Sequence, residues 1–542
     1  MRLTDKEFEV RLPLLVAVLL TAAVLLPVCG HDFVRWDDTH NLVRNGDMLR
    51  PTWAGLAWYW THAFADLYVP VTYSVWMMLS LAANVDGELN SYVFHAFNLL
   101  LHLGSTGLVF LILRRLLKST WPACVGAILF GIHPVQVETV AWISGMKDLL
   151  AGLLGLAAIH LYLRHVEEEE NRWSFYLAAA GCFVLAMLAK PSAVALPAVV
   201  GVIDWLVLRR PLGKVVPGLA VWVVLAVPIV LVGKFVQPAH GVDALSLYFR
   251  PVVAADALVF YFRQILAPVW LGIDYGRSPQ WLLASWQKWV TWTIPAAVLA
   301  AGFLLRERFR LLLAAVGVFI AAVLPMLGLV PFDFQSYSTV SDHYMYLAML
   351  GPALLVGGLA ERWKAYRIVW PVAGVILLAL GIRSFVQTLT WSNSEALFTN
   401  TVRVNPDSSA GNVNLGVLRA ESAEQLLKEG QKEQAAARAQ QAIAFYQRAL
   451  ASHPDDLQAH NNLGNLWKLL GRWADAEPHF RSAVRLNPTP ERHTALGAAL
   501  AMRGKLDEAI GQFEAALSMD PQYKPAATNL ALAKRMREKR QL

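Results

Sequence analysis

Between residues 12 and 387 the chain carries apolar stretches at the length scale of the roughly 30 Å hydrocarbon core of a bilayer. They run near 12–29, 92–113, 121–133, 148–163, 173–189, 191–208, 215–236, 289–305, 311–330, 343–360 and 368–387. With 56% hydrophobic and only 16% charged residues, the chain is too apolar for an ordinary soluble protein. These runs predict an all-α fold whose larger part is a polytopic transmembrane bundle. The first run is followed by no small-residue cleavage site before His31, so it reads as a retained helix rather than a signal peptide. Cys29, Cys124 and Cys182 all lie in apolar runs, which argues against a disulfide framework or a cysteine zinc site.

Charge orders these spans. Two further segments, 68–84 and 256–271, are short or interrupted by Arg263, Gln264 and Pro268, leaving a count of eleven or thirteen. If neither crosses, the basic loops Arg114/Arg115/Lys118, Arg164 with Arg172, Arg209/Arg210/Lys214, Arg306/Arg308/Arg310 and Arg362/Lys364/Arg367 all face the cytoplasm, as the positive-inside rule prefers. About eleven spans, with interfacial helices beside them, are therefore expected. The net charge of +7 is explained by topology and does not point to nucleic acid. Arg2, Lys6 and Arg11 place the N-terminus in the cytoplasm. An odd span count then puts everything after Gln387 on the extracytoplasmic side, whether periplasm, cell exterior or endoplasmic reticulum lumen.

Beyond residue 400 the sequence repeats itself. Asn405-Pro406, His453-Pro454, Asn487-Pro488 and Asp520-Pro521 each close a helical pattern, with the last two intervals 34 and 33 residues long. That is the period of the tetratricopeptide repeat, a pair of antiparallel helices. Leu463, Gly464, Trp467, Gly471, Ala476, Phe480 and Ala483 occupy its packing positions in the middle repeat, and Leu496, Gly497, Gly504, Ala509, Phe513 and Ala516 in the next. The first repeat carries a 14-residue insertion that predicts longer helices. Domains are expected at 1–390 (membrane) and 391–542 (α-solenoid), with repeats near 407–455, 456–489 and 490–522 and a cap at 523–538. By fold analogy such a stack binds a protein or peptide partner, with a solenoid that only packs on the membrane domain as the alternative.

Chemistry-bearing residues gather on the outer face in this topology. Asp37 and Asp38 follow His31 and Trp36 in the first outer loop. Adjacent acids repel, which suits one to work as a general base of raised pKa, or both to hold a divalent cation such as Mg or Mn; a solvated loop is the plain alternative. His95, Asn98 and His102 share one helical face within a span, where they either line a cavity or bond neighbouring helices. His133, Glu138, Lys147, Asp148, Lys190, Arg250, Arg263, Asp342, His343 and Tyr344 fall on the same outer side, with Lys234 and His240. Cations outside the membrane run against the usual bias and suit the stabilisation of a departing lipid phosphate, with headgroup contact as the alternative. No phosphate-binding glycine loop, nucleophile elbow or zinc-protease motif is evident.

Trp36-Asp37-Asp38, Tyr68-Val69-Pro70-Val71-Thr72, His95-x-x-Asn98-x-x-x-His102, Phe130-x-x-His133-Pro134-x-x-x-Glu138-x-x-Ala141-Trp142, Lys147-Asp148, Lys190-Pro191 and Asp342-His343-Tyr344-x-Tyr346, followed by the repeats, resemble the transmembrane and tetratricopeptide repeat-containing (TMTC) proteins. That family in turn resembles the GT-C glycosyltransferases. The resemblance implies a GT-C-type membrane domain that moves a sugar, mannose, with inversion from a polyprenyl-phosphate donor to a protein hydroxyl at the extracytoplasmic face. It implies that Asp37 or Asp38 matches the GT-C acid, that 68–84 is an interfacial helix, and that Lys147, Lys190 and Arg250 or Arg263 contact the donor phosphate. The chain departs from the family at Val69-Pro70-Val71, where His-Pro-Leu is usual, at His343, where Arg is expected, and at Gly145-Met146, where a Glu-Arg pair is common. A rival reading is a non-enzymatic scaffold, a membrane anchor for repeats that recruit extracytoplasmic partners; transport is a third.

Overall fold

The computed structural model describes residues 5–168, 172–236, 246–304 and 308–541; His240 lies outside them. The chain divides into two compact units, Met1–Leu397 and Phe398–Leu542. Both are helical, and the one sheet among the described residues is the two-stranded ribbon Asn84–Val85/Glu88–Leu89.

Among the described residues of the first unit, six helices are long and apolar enough to cross a membrane: Glu9–Gly30, Ser91–Leu117, Ile143–Glu167, Arg172–Ala189, Leu212–Val236 and Val369–Trp391. Thr120–Ile132 and Pro134–Ala141 form a pair of comparable hydropathy bent by 48°. Shorter apolar helices, Pro191–Val207, Arg310–Met326, Thr293–Leu304 and Leu350–Trp363, occupy the remaining expected runs. The segment 68–84 becomes the 14-residue helix Pro70–Ala83. At 1.5 Å per residue it is about 21 Å long, short of the hydrocarbon thickness. It packs inward through Tyr73 and Trp76, and the Thr72 hydroxyl donates to the Ala189 carbonyl at 3.0 Å. The segment 256–271 belongs to helix Arg250–Leu266, which stops before Pro268.

Small residues set the closest helix contacts. A side chain on Gly126 would come within 2.5 Å of the Ala353 carbonyl oxygen, and one on Gly351 would strike the Ala315 carbonyl. Backbones approach this closely where lipid supplies no hydrophobic drive between helices and dispersion must do the packing.

The second unit stacks helix pairs: Ser409–Lys428 with Lys432–Ser452, Leu457–Leu469 with Trp473–Leu486, and Pro490–Met502 with Leu506–Met519, closed by Lys524–Gln541. The inserted residues lengthen the first pair to 20 and 21 residues, against 13 and 14 in the others. Each turn within a pair places a glycine at positive φ: Gly430 (79°), Gly471 (70°) and Gly504 (75°). That backbone state favours glycine because it lacks Cβ. Across each pair a ring lies against a glycine: Tyr446 on Gly416, Phe480 on Gly464 and Phe513 on Gly497.

Candidate functional site

Two prolines shape one end of the bundle. A residue before proline is pushed into extended backbone by the ring's Cδ, and both His133 (φ −67°, ψ 134°) and Lys190 (φ −155°, ψ 123°) adopt it. The first of these steps breaks the helix after Ile132. It swings the short helix Val137–Ala141 across the bundle end, buried along its whole length. The turn Ile143–Gly145 then starts helix Met146–Glu167, with Lys147 and Asp148 in its first turn.

Three pairs meet here. Lys147 Nζ stands 3.6 Å from Asp37 Oδ2, Lys190 Nζ donates to Asp148 Oδ1 at 2.6 Å, and His343 Nδ1 lies 2.5 Å from Glu138 Oε1. The Ser341 hydroxyl donates to the same Glu138 oxygen at 3.0 Å. Aromatic rings link the pairs: Lys147 sits 5.4 Å from the Trp142 ring and Lys190 5.6 Å from the Tyr344 ring, while the His343 ring touches both aromatics at 5.5 and 4.3 Å. Such cation–ring contacts hold ammonium groups without neutralising them.

The adjacent acids are not equivalent. The Asp38 side chain is buried at 1% exposure, its Oδ1 accepting from the Ser144 amide (2.9 Å) and hydroxyl (2.6 Å) and its Oδ2 from the Val34 amide (3.2 Å). Burial pushes its carboxyl up to about 6, against the downward pull of these hydrogen bonds. Asp37 is 46% exposed. Three protein donors surround the Asp38 carboxylate. No group of three or more His, Cys, Asp or Glu side chains suited to a metal occurs among the described residues.

The other expected residues have these surroundings. Asn98 donates to the carbonyls of Trp142 (3.0 Å) and Val140 (3.3 Å), holding the crossing helix to the span Ser91–Leu117. His102 Nε2 donates to the Gly131 carbonyl at 2.8 Å, leaving Nδ1 to accept from the Tyr346 hydroxyl at 3.0 Å. His133 Nε2 donates to the Ile265 carbonyl at 3.1 Å. His95 is buried at 1% exposure edge-on to His31, their ring centroids 6.0 Å apart. The Tyr275 hydroxyl lies 2.8 Å from each Asp342 carboxylate oxygen. Arg250 donates to the Leu329 carbonyl at 2.8 Å, and Arg263 is exposed.

A family model for dolichyl-phosphate-mannose-protein mannosyltransferase matches residues 71–232, and one for the tetratricopeptide repeat matches 426–489 and 469–524. Protein O-mannosyl-transferase TMTC2 of Mus musculus is 29% identical over 209 residues, covering 36% of this chain and 24% of its own. Human protein O-mannosyl-transferase TMTC3 is 22% identical over 513 residues, covering 81% and 52%. Over these segments the chain is similar to TMTC proteins. It spans about a quarter of the matched TMTC2 relative and about half of TMTC3. Among solved structures, ArnT from Cupriavidus metallidurans bound to undecaprenyl phosphate aligns with 86% of this chain and 80% of its own at 16% identity and a TM-score of 0.34.

Several residues of this site carry no signal of their own in the sequence. Ser144 and Ser341 are ordinary serines until folding sets one on Asp38 and the other on Glu138. Tyr275 and Arg277 lie in an irregular stretch without periodicity after helix Arg250–Leu266, and Arg277 reaches back to Asp256 of that helix, bidentate at 2.6 and 3.1 Å.

Proposed function

We propose that this chain is an integral membrane glycosyltransferase that moves a sugar, mannose, from a polyprenyl-phosphate donor to a hydroxyl of a protein acceptor. The observation that carries the reading is the pairing of one accessible carboxylate, Asp37, with Lys147, beside the second ammonium of Lys190. Among the four acids of this cluster, Asp37 is 46% exposed while Asp148, Glu138 and Asp38 are at 8%, 5% and 1%. Asp37 takes the proton of the acceptor hydroxyl. The freed oxygen attacks the anomeric carbon from the face opposite the phosphate, the C1–O bond to phosphate breaks, and configuration inverts. Polyprenyl phosphate leaves with the bonding electrons, and Lys147 and Lys190 stabilise the negative charge that grows on it. Glu138 and His343 hold the donor side of the site. Asp38, tied to Ser144 and Val34, positions the loop that carries Asp37.

The site opens at the extracytoplasmic surface in this reading. Support comes from helix direction: Ser91–Leu117 and Met146–Glu167 both run from the acid cluster to basic ends at Arg114/Arg115/Lys118 and Arg164, the distribution the positive-inside rule associates with cytoplasm. The repeats then share the outer side and present the acceptor chain.

Transfer of mannose from polyprenyl-phosphate mannose to a peptide, with purified protein, is the test. Asp37→Asn should lower the rate about 10²- to 10⁴-fold, the range for loss of a general base. Its thermal midpoint should hold, because a half-exposed ion pair contributes at most about 1 kcal/mol. Parental transfer by Asp37→Asn would overturn the assignment. Absence of thermal stabilisation by the donor would favour the scaffold instead.

A further inference from the structure

At the opposite end of the bundle, the ends of Ser91–Leu117 and Met146–Glu167 and the start of Thr120–Ile132 line an open cavity of about 800 Å³. Its walls carry Arg114, Arg115, Lys118, Arg164 and His160, with Glu167 as the acid among the lining residues. Arg164 lies seventeen residues beyond Lys147 on one helix, about 26 Å at 1.5 Å per residue, so this cavity and the acid cluster sit at opposite membrane surfaces.

Helix C-termini favour cations on their own account, but three features go beyond that. The cations converge on one cavity, of a size usual for small-molecule sites. Two are already answered: Arg115 pairs with Glu167 at 2.6 Å, and Arg164 is bidentate on Glu168 at 2.8 and 3.0 Å. Arg114 and Lys118, one helical turn apart, add positive charge beyond those pairs. Lys118 also sits at φ 54°, donating its amide to the Arg114 carbonyl at 2.9 Å in the position that closes a helix and favours glycine. A lysine there places an ammonium at the cavity at a conformational cost. Finally, His160 Nδ1 is buried with no hydrogen-bond partner among the described residues, in the cavity wall.

We propose that this cavity binds the phosphate headgroup of an anionic phospholipid from the leaflet opposite the acid cluster. Arg114 and Lys118 meet the phosphate oxygens, and the Leu111 side of the cavity lies against the acyl chain. Basic crevices between helices at the cytoplasmic surface suit such headgroups.

The experiment uses the full chain in micelles, with phosphatidylglycerol, phosphatidylcholine and inorganic phosphate as probes and native mass spectrometry as the readout. The parent should retain phosphatidylglycerol at least tenfold over phosphatidylcholine, and Arg114→Gln/Lys118→Gln should lose at least tenfold of that retention. Millimolar inorganic phosphate should leave it unchanged. Equal retention by parent and variant would overturn the proposal, and displacement by inorganic phosphate would reassign the cavity to a free anion. A photoreactive phosphatidylglycerol on the parent protein tests the site without any substitution. Labelling within 111–120 and 160–167 supports it, and labelling confined elsewhere refutes it.

Discussion

Removing one member of the Lys190–Asp148 pair should harm the fold more than removing both. The two side chains are 14% and 8% exposed and meet at 2.6 Å, and Asp148 Oδ2 has no hydrogen-bond partner among the described residues. Lys190→Met therefore strands a buried carboxylate with its one ammonium partner gone. Breaking such a pair from one side costs about 3–5 kcal/mol, roughly a 140- to 3,700-fold shift in the folding equilibrium at 1.4 kcal/mol per factor of ten. The double variant Lys190→Met/Asp148→Leu removes both charges and should return to within about 1 kcal/mol of the parent, because apolar replacement of a whole buried pair is close to neutral or stabilising. Reversible unfolding in mixed micelles, followed by tryptophan fluorescence across the four-protein cycle, measures the coupling. Transfer activity separates the two roles of Lys190: the double variant should regain stability and remain inactive. Two single losses that simply add in the double variant would refute the argument, as would Lys190→Met within about 1 kcal/mol of the parent.

Two further outcomes follow from named contacts. The Asp38 carboxyl is raised from 3.8 to about 6, so between those values the folded protein holds a proton that the unfolded chain has released. Its contribution to stability is full below about pH 4 and falls as pH rises toward 6, by about 3 kcal/mol over the window; Asp38→Asn should remove that slope from the pH dependence of unfolding, and an identical slope in parent and variant would contradict it. In the solenoid, a methyl on Gly497 would approach the Phe513 ring at 2.6 Å. Gly497→Ala should then destabilise its repeat by about 1–3 kcal/mol through overpacking, seen as faster amide exchange across residues 490–519.

Much of the architecture is local in origin and so can be read along the chain. Hydropathy over about twenty residues marks a span whatever packs beside it, and the 34- and 33-residue proline intervals mark the repeats because each repeat meets only its neighbours. The X-Pro steps at His133 and Lys190 are equally local: the proline ring acts on the residue before it, and both residues adopt extended backbone. The polar face His95, Asn98 and His102 is legible as a face. That Asn98 and His102 bond carbonyls at Trp142 and Gly131 depends on which helices pack there.

The two acids of Asp37-Asp38 mark the limit. Sequence alone determines that the bilayer holds a helical bundle, that a repeat stack follows, and that paired carboxylates lie in the first loop, because hydrophobicity, period and adjacency are properties of short segments. Only the tertiary structure decided which acid stays available. Ser144, 106 residues away, closes on Asp38 from amide and hydroxyl together and withdraws it from water, while Asp37 is left half-exposed beside Lys147. Neighbouring residues point to different environments, and the partner that separates them is set by how the crossing helix Val137–Ala141 and its following turn pack over the loop.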